Sequence, residues 1–330
     1  MTPLDRAAPV YVAGHRGLVG SAIERHLRSA GFTNLLTRTS ADLDLRDRDA
    51  TFGFLESTRP RVVVLAAARV GGIMANATEP VEFLSDNLRI QLSVIDGAHS
   101  VGVERLFFLG SSCIYPKYAP QPIREESMLT GALEPTNDAY AIAKIAGVMH
   151  VQAMRRQYGH RWISAMPTNL YGPGDSFDLA RSHVLPALIR RFHDARVAGA
   201  ERVVLWGTGT PRREFLHVDD LARASLLLLE SYDDDVPINV GTGADLPISQ
   251  LAVEVARVVG FEGVIDFDAD KPDGTPRKLL DVSRLNALGF EPRIDLAEGL
   301  RSTYAWYLEN VAPENVSSRA DRTVDVGGGA

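Results

Sequence analysis

The chain has 330 residues and a formal net charge of −7, with 45% hydrophobic and 23% charged residues. This is the balance of a folded globular protein, and the negative charge argues against nucleic acid or an anionic membrane as a general partner. No apolar run of about 18 residues could span a bilayer, no N-terminal segment resembles a signal peptide, and one cysteine cannot form an intramolecular disulfide, so we expect a cytoplasmic protein of two lobes.

Short apolar runs alternate with helical or glycine-rich sequence along the first half of the chain. The runs lie at about 10–13, 35–38, 62–66, 106–110 and 163–167. Such alternation predicts parallel strands joined by right-handed crossovers, with ligands at the carboxyl ends of the strands. The expected fold class is therefore α/β, a doubly wound parallel sheet of Rossmann type with a smaller C-terminal α/β substrate lobe.

The first run ends in a glycine-rich loop that opens a helix over 21–30. Gly14 permits a tight turn, Gly17 lets the backbone approach a pyrophosphate, and Gly20 lets the helix pack closely on the strand. The spacing has one residue more than G-x-G-x-x-G, so the strand and helix around the glycines are what favour a dinucleotide site. The loop residues assigned to the cofactor are Gly14, His15, Arg16, Gly17, Leu18, Val19 and Gly20.

The residues after the second strand bear on which nicotinamide cofactor is bound. Enzymes that use NAD usually place Asp or Glu at the end of this strand, whereas no acid precedes Asp42 here. Arg16 and Arg38 suit the 2′-phosphate of NADP, so NADPH is the expected cofactor. The alternative is that both are solvated surface charges. Asp44 and Leu45 are expected to border the adenine.

A Tyr and a Lys lie four residues apart in a predicted helix, so they share one face of it. We expect the charge of Lys144 to favour the Tyr140 phenolate and to lower the pKa of the phenol from about 10 towards working pH. Ser111 or Ser112, at a strand end, can share the proton exchanged with a substrate oxygen. Next to a dinucleotide site, this group predicts hydride transfer at a carbonyl, although Tyr140 could instead be a core residue.

Longer motifs are similar to those of a known family. The chain resembles the extended short-chain dehydrogenase/reductases and, among them, the GDP-L-fucose synthase family. The glycine loop and Tyr-x-x-x-Lys indicate the superfamily only, whereas Ser-Ser-Cys-Ile-Tyr-Pro with Ser-His-Val and Lys-Pro-Asp-Gly-Thr-Pro-Arg-Lys is specific. Members often carry a second basic residue where this chain has Ser40. The matching segments are 13–23, 66–77, 108–116, 134–147, 166–173, 182–193, 213–220 and 271–282.

The resemblance implies a two-step conversion of GDP-4-keto-6-deoxy-D-mannose to GDP-L-fucose. The ketone acidifies the hydrogens on carbons 3 and 5, where Cys113 is the implied base and His183 the implied acid of the epimerisations. Hydride from NADPH then reduces carbon 4, with Tyr140 as proton donor and Ser111 bound to the same oxygen. Without the resemblance, Cys113 could be a buried apolar residue and His183 a structural residue at a helix start. No metal site is indicated.

The family match and the strand ends give further candidate contacts. For the cofactor these are Ser40, Leu109, Gly110, Ser112, Lys144, Pro167, Thr168, Asn169, Leu170 and His183. For the GDP-sugar they are Arg191, Trp206, Arg213 and Asp273, where Trp206 either stacks on guanine or lies in the core. The basic residues expected to meet the diphosphate are Arg190, Arg191, Arg212, Arg213, Lys271, Arg277 and Lys278.

The boundaries of the two lobes follow from where the strand–helix alternation becomes irregular. We expect residues 1–171 and 213–243 to form the NADP-binding lobe, 172–212 and 244–312 the GDP-sugar lobe, and the polar stretch 313–330 a disordered tail. The pair Asp219-Asp220 is expected to cap a helix, with His217 before it structural.

Two helical stretches, 80–101 and 138–158, have apolar faces wider than one sheet requires. Similar enzymes pair two such helices from each subunit, so a homodimer with a four-helix interface is expected. The alternative is that both apolar faces are packed within one chain.

Two other functions stay open at this point. One is another nucleotide-sugar enzyme, a 4-epimerase or a 4,6-dehydratase with tightly held NAD, but such dehydratases usually have Asp-Glu where this chain has Ser112-Cys113. The other is a non-catalytic dinucleotide sensor, which commonly loses the Tyr or the Lys, and both residues remain here.

Overall fold

The computed structural model describes residues 3–179, 181–271 and 273–312, so the expectation for the tail 313–330 lies outside the described residues. The strands are β1 (Val10–Ala13), β2 (Leu35–Leu36), β3 (Val62–Leu65), β4 (Arg105–Leu109), β5 (Ile163–Pro167), β6 (Asn169–Tyr171), β7 (Arg202–Trp206), β8 (Arg212–His217), β9 (Ile238–Val240), β10 (Asp245–Pro247), β11 (Val264–Asp268) and β12 (Arg277–Lys278). The α-helices are α1 (Leu18–Ser29), α2 (Arg48–Thr58), α3 (Ile73–Thr78), α4 (Pro80–Ser100), α5 (Asp138–Tyr158), α6 (Val184–Val197), α7 (Val218–Ser231), α8 (Ile248–Val259), α9 (Ser283–Ala287) and α10 (Leu296–Asn310).

The main sheet has six parallel strands in the order β2-β1-β3-β4-β5-β9. Val10 and Val12 of β1 pack in the layer of α1 and α7, whereas Tyr11 and Ala13 face α2, α4 and α5, because successive side chains of a strand point to opposite faces. The doubly wound α/β prediction is therefore confirmed. The strand order reverses between β1 and β3, which is where ligands bind in such sheets.

The glycine loop follows β1 at this reversal. Gly14 has a φ of 88°, and a Cβ there would lie 2.7 Å from the Ala67 amide nitrogen. A Cβ on Gly20 would lie 2.1 Å from the Gly14 carbonyl oxygen, so the roles predicted for these two glycines are confirmed. Helix α1 begins at Leu18, three residues earlier than predicted, with Gly17 as its N-cap and no capping side chain. The amides at its start are thus left for a ligand.

Helices α4 and α5, the two long helices predicted from the sequence, pack against each other on one face of the sheet. Gly147 of α5 permits close packing, because a Cβ there would lie 2.7 Å from Gln91 Oε1 of α4 and 2.3 Å from the Phe108 ring of β4. Across the pair, Gln91 Nε2 donates to the Ala143 carbonyl oxygen at 2.7 Å. In the described part of the chain, no helix is both long and apolar enough to span a membrane.

A second sheet is built around β8. Strands β10, β8 and β12 form a sheet that β6 joins through β8, while β7 and β11 form a separate parallel pair. Helices α6, α8 and α10 share a core that includes Phe192, Val255 and Tyr307. The fully buried carboxylate of Glu214 in β8 accepts the amide hydrogens of Gly243 and Leu280, at 2.7 and 3.0 Å. This strand is therefore tied to both neighbouring segments.

Contrary to the prediction, the N-cap of α7 is not Asp219 or Asp220. His217 is the N-cap, and its Nδ1 accepts the amide hydrogen of Asp219 at 3.2 Å. Asp219 and Asp220 lie in the first turn instead, and Asp220 Oδ2 accepts the amides of Arg293 and Ile294, both at 2.9 Å. An imidazole acceptor immediately before the helix satisfies the amide that an Asp cap would have taken.

Candidate active site

Four of the predicted catalytic side chains meet at the carboxyl end of β4. Ser111 follows this strand after one glycine and caps a short 3-10 turn, its Oγ accepting the amide hydrogen of Cys113 at 3.2 Å. The Ser111 hydroxyl and the Tyr140 phenol share a hydrogen bond, whereas Ser112 is buried. Of the two serines, Ser111 is thus the one that contacts the Tyr. Lys144 follows one turn further along α5.

The pKa expected for Tyr140 is wrong in direction. Burial raises the pKa of the phenol, the negative charge of Cys113 raises it further, and the hydrogen bond from Ser111 only opposes this. Lys144 Nζ donates to the Leu109 carbonyl oxygen at 2.7 Å and lies 5.9 Å from the centre of the Tyr140 ring. Burial lowers the pKa of Lys144 to about 8. Burial disfavours the charged form of both groups, so the phenol stays protonated, while a pKa of about 8 leaves Lys144 mostly charged at neutral pH.

Cys113 is surrounded by hydrogen-bond donors. Asn137 Nδ2, in the residue before α5, lies 3.3 Å from Sγ, and Lys278 Nζ of β12 lies 3.7 Å from it. The thiol is half-buried, so it is neither a core residue nor a freely exposed one. The reading of Cys113 as a buried apolar residue does not fit these polar contacts.

His183 stands at the start of α6. It occupies the N-cap position, but its side chain makes no capping hydrogen bond and is exposed. The surrounding protein lowers the pKa of the imidazole by limiting its hydration, and the charge of Lys278 lowers it further. Among the described residues the His183 side chain therefore has no capping contact that would favour the structural alternative. It lies within the field of the cation that contacts Cys113.

The expected 2′-phosphate site is a cleft of about 390 Å³ beyond β2, lined by His15, Thr37, Arg38, Thr39 and Asp42. Asp42 accepts a hydrogen bond from Thr39 Oγ1 at 2.7 Å, which lowers the pKa of its carboxyl together with the charges of Arg38 and Arg16. The charges of both arginines therefore act on the carboxylate that lines this cleft. Ser40 is not among the lining residues.

The residues present fit a bound NADP. The Nδ1 atom of His15 is buried without a partner among the described residues, and the uncapped start of α1 supplies free amide donors beside it. Other candidates have their own contacts: Asp44 pairs with Arg46 at 2.7 Å, and Leu45 packs against the core of the α4 layer. Leu109, Gly110, Pro167, Thr168, Asn169 and Leu170 all lie at or just beyond the carboxyl ends of β4 and β5.

Three of the predicted diphosphate-binding cations have partners within the protein. Arg212 and Arg277 both bind the carboxylate of Asp245, at 2.9 and 2.5 Å, and Arg190 donates to the Phe177 carbonyl oxygen at 3.0 Å. These three side chains are therefore bound to other groups of the same chain. Arg212 and Arg277 reach Asp245 because side chains alternate along a strand. Their side chains lie on one face of the sheet, and those of the next residues lie on the other.

The remaining substrate candidates lie around the smaller lobe. Burial lowers the pKa of Arg213, and the charges of Cys113, Glu134 and Asp273 oppose this. Trp206 is 58% exposed, so its reading as a core indole is wrong. Asp273 accepts hydrogen bonds from the amide and the hydroxyl of Thr208, at 2.9 and 2.7 Å, and so closes the turn after β7. Arg191, in α6, is half-buried.

Sequence reasoning missed Asn137, Glu134 and the pairing of Lys278 with the thiol. Glu134 pairs with Lys117 at 3.0 Å and accepts a hydrogen bond from Thr275 at 3.3 Å. Its charge also acts on Arg213. Asn137 could have been found, because it precedes Tyr140 by three residues in a helical context. Among the described residues, no group of three or more His, Cys, Asp or Glu side chains is arranged to hold a metal.

Comparison with known proteins gives consistent matches. The model of the NAD dependent epimerase/dehydratase family matches residues 10–241. GDP-L-fucose synthase 1 of Arabidopsis thaliana is 57% identical over 307 residues, 93% of this chain and 95% of that protein. GDP-L-fucose synthase of Escherichia coli (strain K12) is 54% identical over 310 residues, 91% of this chain and 97% of that protein. A solved GDP-L-fucose synthetase from Naegleria fowleri bound to NADP is 30% identical, with a TM-score of 0.87 over 94% of this chain and 96% of that one.

Proposed function

The chain belongs to the NAD dependent epimerase/dehydratase family and, within it, to the GDP-L-fucose synthases, and from this we propose that it converts GDP-4-keto-6-deoxy-D-mannose to GDP-L-fucose with NADPH. The observation that carries the proposal is the meeting of Ser111, Cys113 and Tyr140 at the carboxyl end of one strand of a dinucleotide-binding sheet. A 4,6-dehydratase is not favoured, because a thiol stands where such enzymes usually carry an acid.

In the epimerisation half of the proposal, Cys113 and His183 act as base and acid. The thiolate of Cys113 takes the proton from carbon 3, and His183 returns one to the opposite face. Cys113 then releases its proton to water and His183 takes one up, after which the same two groups invert carbon 5. The enolate that forms between proton removal and proton return keeps its charge on the carbonyl oxygen. Ser111 and the protonated Tyr140 are neighbours that can both donate a hydrogen bond to this oxygen.

In the reduction half, NADPH supplies the hydride that carbon 4 receives. Tyr140 gives its proton to the oxygen that becomes the new hydroxyl, and Ser111 holds that oxygen in place. A phenol kept protonated by burial is suited to this donation. Lys144 is anchored to the Leu109 carbonyl and offers a cation beneath the ring that can stabilise the phenolate left behind. Residues of the loop 14–20 and Arg38 would hold the cofactor.

Incubation with GDP-4-keto-6-deoxy-D-mannose and NADPH in heavy water tests the proposed function. Deuterium should enter carbons 3 and 5 before the nicotinamide absorbance falls, and the product should be GDP-L-fucose. Reduction without any deuterium uptake would instead indicate a simple 4-reductase.

Arg38→Glu is expected to weaken NADPH binding at least about tenfold more than NADH binding, because it replaces a cation in the 2′-phosphate cleft by an anion. Nicotinamide fluorescence titration of both cofactors measures this. Arg48→Glu is the matched control: Arg48 lies over the Phe52 ring at 4.0 Å, as Arg38 lies over Phe54 at 5.0 Å, but it does not line the cleft. An unchanged cofactor preference in the Arg38 variant would refute the assignment.

The proposal includes the organisation of the enzyme. The lobe of residues 1–171 and 213–243 would bind NADP, and that of 172–212 and 244–312 the GDP-sugar. The free thiol of Cys113 requires a reducing compartment, so we place the enzyme in the cytoplasm.

We also propose a homodimer through the outer faces of α4 and α5. Leu92, Ile142 and Met149 are each 47% exposed there, and the last two are seven residues apart on one side of α5. A second copy would cover these side chains with the same two helices, forming the four-helix interface. Sedimentation at micromolar concentration should give twice the 35.9 kDa mass of the chain, and a single 35.9 kDa species would exclude the dimer.

A further inference from the structure

Lys278 is a half-buried cation that points at the thiol of Cys113. Its Nζ lies 3.7 Å from Sγ, and among the described residues no carboxylate oxygen lies within 4.0 Å of it. Lys117 is paired with Glu134 and Arg277 with Asp245, whereas Arg213 donates to the Arg212 carbonyl oxygen and has no ion pair in the described part of the chain. A partly buried charge without a counter-ion is costly, so the surroundings of Lys278 call for an anion.

Strand register explains why this lysine faces the thiol. In the parallel pair β8–β12, Arg212 lies opposite Arg277, and Arg213 lies opposite Lys278. The first couple shares Asp245 on one face of the sheet. The second couple therefore lies on the other face, where the charge of Cys113 acts on Arg213 and Lys278 contacts Sγ directly.

Resting on the proposed role of Cys113, we propose that Lys278 is a positioning residue that holds Cys113 as the thiolate in the substrate-free enzyme, with the Asn137 amide as the second donor to sulfur. An opposite charge close to a thiol favours its ionised form, and two donors at 3.3 and 3.7 Å fix the direction of the sulfur lone pairs. The thiolate is thus ready before the ketosugar arrives. The other charged or titratable groups that act on this thiol are Arg213 of β8 and Tyr140 of α5.

The same cation also acts on the proposed acid. After the effect of burial, the charge of Lys278 lowers the pKa of His183, which eases proton release from the imidazolium but also lowers its population at neutral pH. One ammonium group is thereby coupled electrostatically to both the proposed base and the proposed acid.

The test uses the fact that this chain contains a single cysteine. Iodoacetamide alkylates only thiolates at an appreciable rate, so the alkylation rate of the substrate-free protein against pH reports the ionisation of Cys113, and intact mass identifies the adduct. Lys278→Met is expected to move this profile about one pH unit towards alkaline values and to slow alkylation at neutral pH about tenfold. Lys278→Arg should restore much of the rate, because the charge is kept.

Arg277→Met is the matched control, since it removes a cation from the adjacent residue, which faces Asp245 instead of the thiol; its alkylation profile should not move. If Lys278 serves only the substrate diphosphate, Lys278→Met will weaken GDP binding and leave the alkylation profile unchanged, which overturns the inference. If the Met variant does not fold, Lys278→Gln replaces it, because glutamine keeps a polar group at the end of the side chain. Alkylation needs no substrate, so a failure of the proposed function, seen as ring exchange in Cys113→Ser, is distinguishable from a failure of this inference.

Discussion

Replacing Tyr140 by Phe is expected to lower the rate of ketone reduction by about 10²–10⁴-fold while deuterium exchange at the ring carbons continues. In the proposed reaction the phenol gives a proton to the carbon 4 oxygen, and burial keeps it protonated. Phe preserves the ring and its edge contact with Phe83, at 6.3 Å between ring centres. The loss should therefore be chemical rather than structural. Nicotinamide absorbance measures the reduction, and mass spectrometry in heavy water measures the exchange.

Tyr158→Phe is the control for this substitution. Tyr158 lies on the same helix α5, but it is exposed and stacks on His99 at the surface. Both activities should be unchanged in this variant. If Tyr140→Phe stops exchange as completely as reduction in a folded protein, then the phenol is also required for enolisation, and Ser111 alone does not stabilise the enolate.

Cys113→Ser is expected to have the reverse effect, slowing ring-proton exchange by about 10²–10⁴-fold while hydride transfer to an already epimerised ketone continues. A serine hydroxyl is a far weaker acid than a thiol, so neither Lys278 nor Asn137 can maintain it as an anion at neutral pH. The measurement is deuterium uptake by the 4-keto substrate, set beside NADPH oxidation with the doubly inverted 4-keto sugar.

The two substitutions together separate the half-reactions on one protein. Equal loss of exchange and reduction in Cys113→Ser would contradict the assignment of Cys113 as the base. Cys113→Ala removes both the acid–base group and the acceptor of the Asn137 hydrogen bond. If the Ala variant also keeps its reductase activity, the thiol contributes to the inversions only.

The base and the phenol also influence each other. Negative charge on Cys113 raises the pKa of Tyr140, so a thiolate beside the ring keeps the proton on the phenol. The form of the site that begins an inversion is therefore also the form in which Tyr140 can donate. This electrostatic coupling is compatible with one cluster of side chains serving both proposed reactions.

Local sequence was sufficient for the scaffold and for the spacing of several groups of the proposed site. Apolar runs and helical spacing located β1 and β3 to β5 and the long helices α4 and α5, because side-chain periodicity depends only on neighbours along the chain. The glycines of the first loop were identified for the same reason, since the turn at Gly14 and the contact of Gly20 involve residues a few positions apart. The spacing of Tyr140 and Lys144 is likewise a property of one helix.

The tertiary structure alone decided the electrostatics of the site. Lys278 lies 165 positions from Cys113, and they meet only because β12 pairs with β8 in one register. That register also turns Arg212 and Arg277 towards Asp245, against the expectation from sequence. The direction of the Tyr140 pKa depended on burial by separate segments, which no spacing encodes. Charge and hydration are sums over neighbours in space, whereas periodicity is a property of neighbours in sequence.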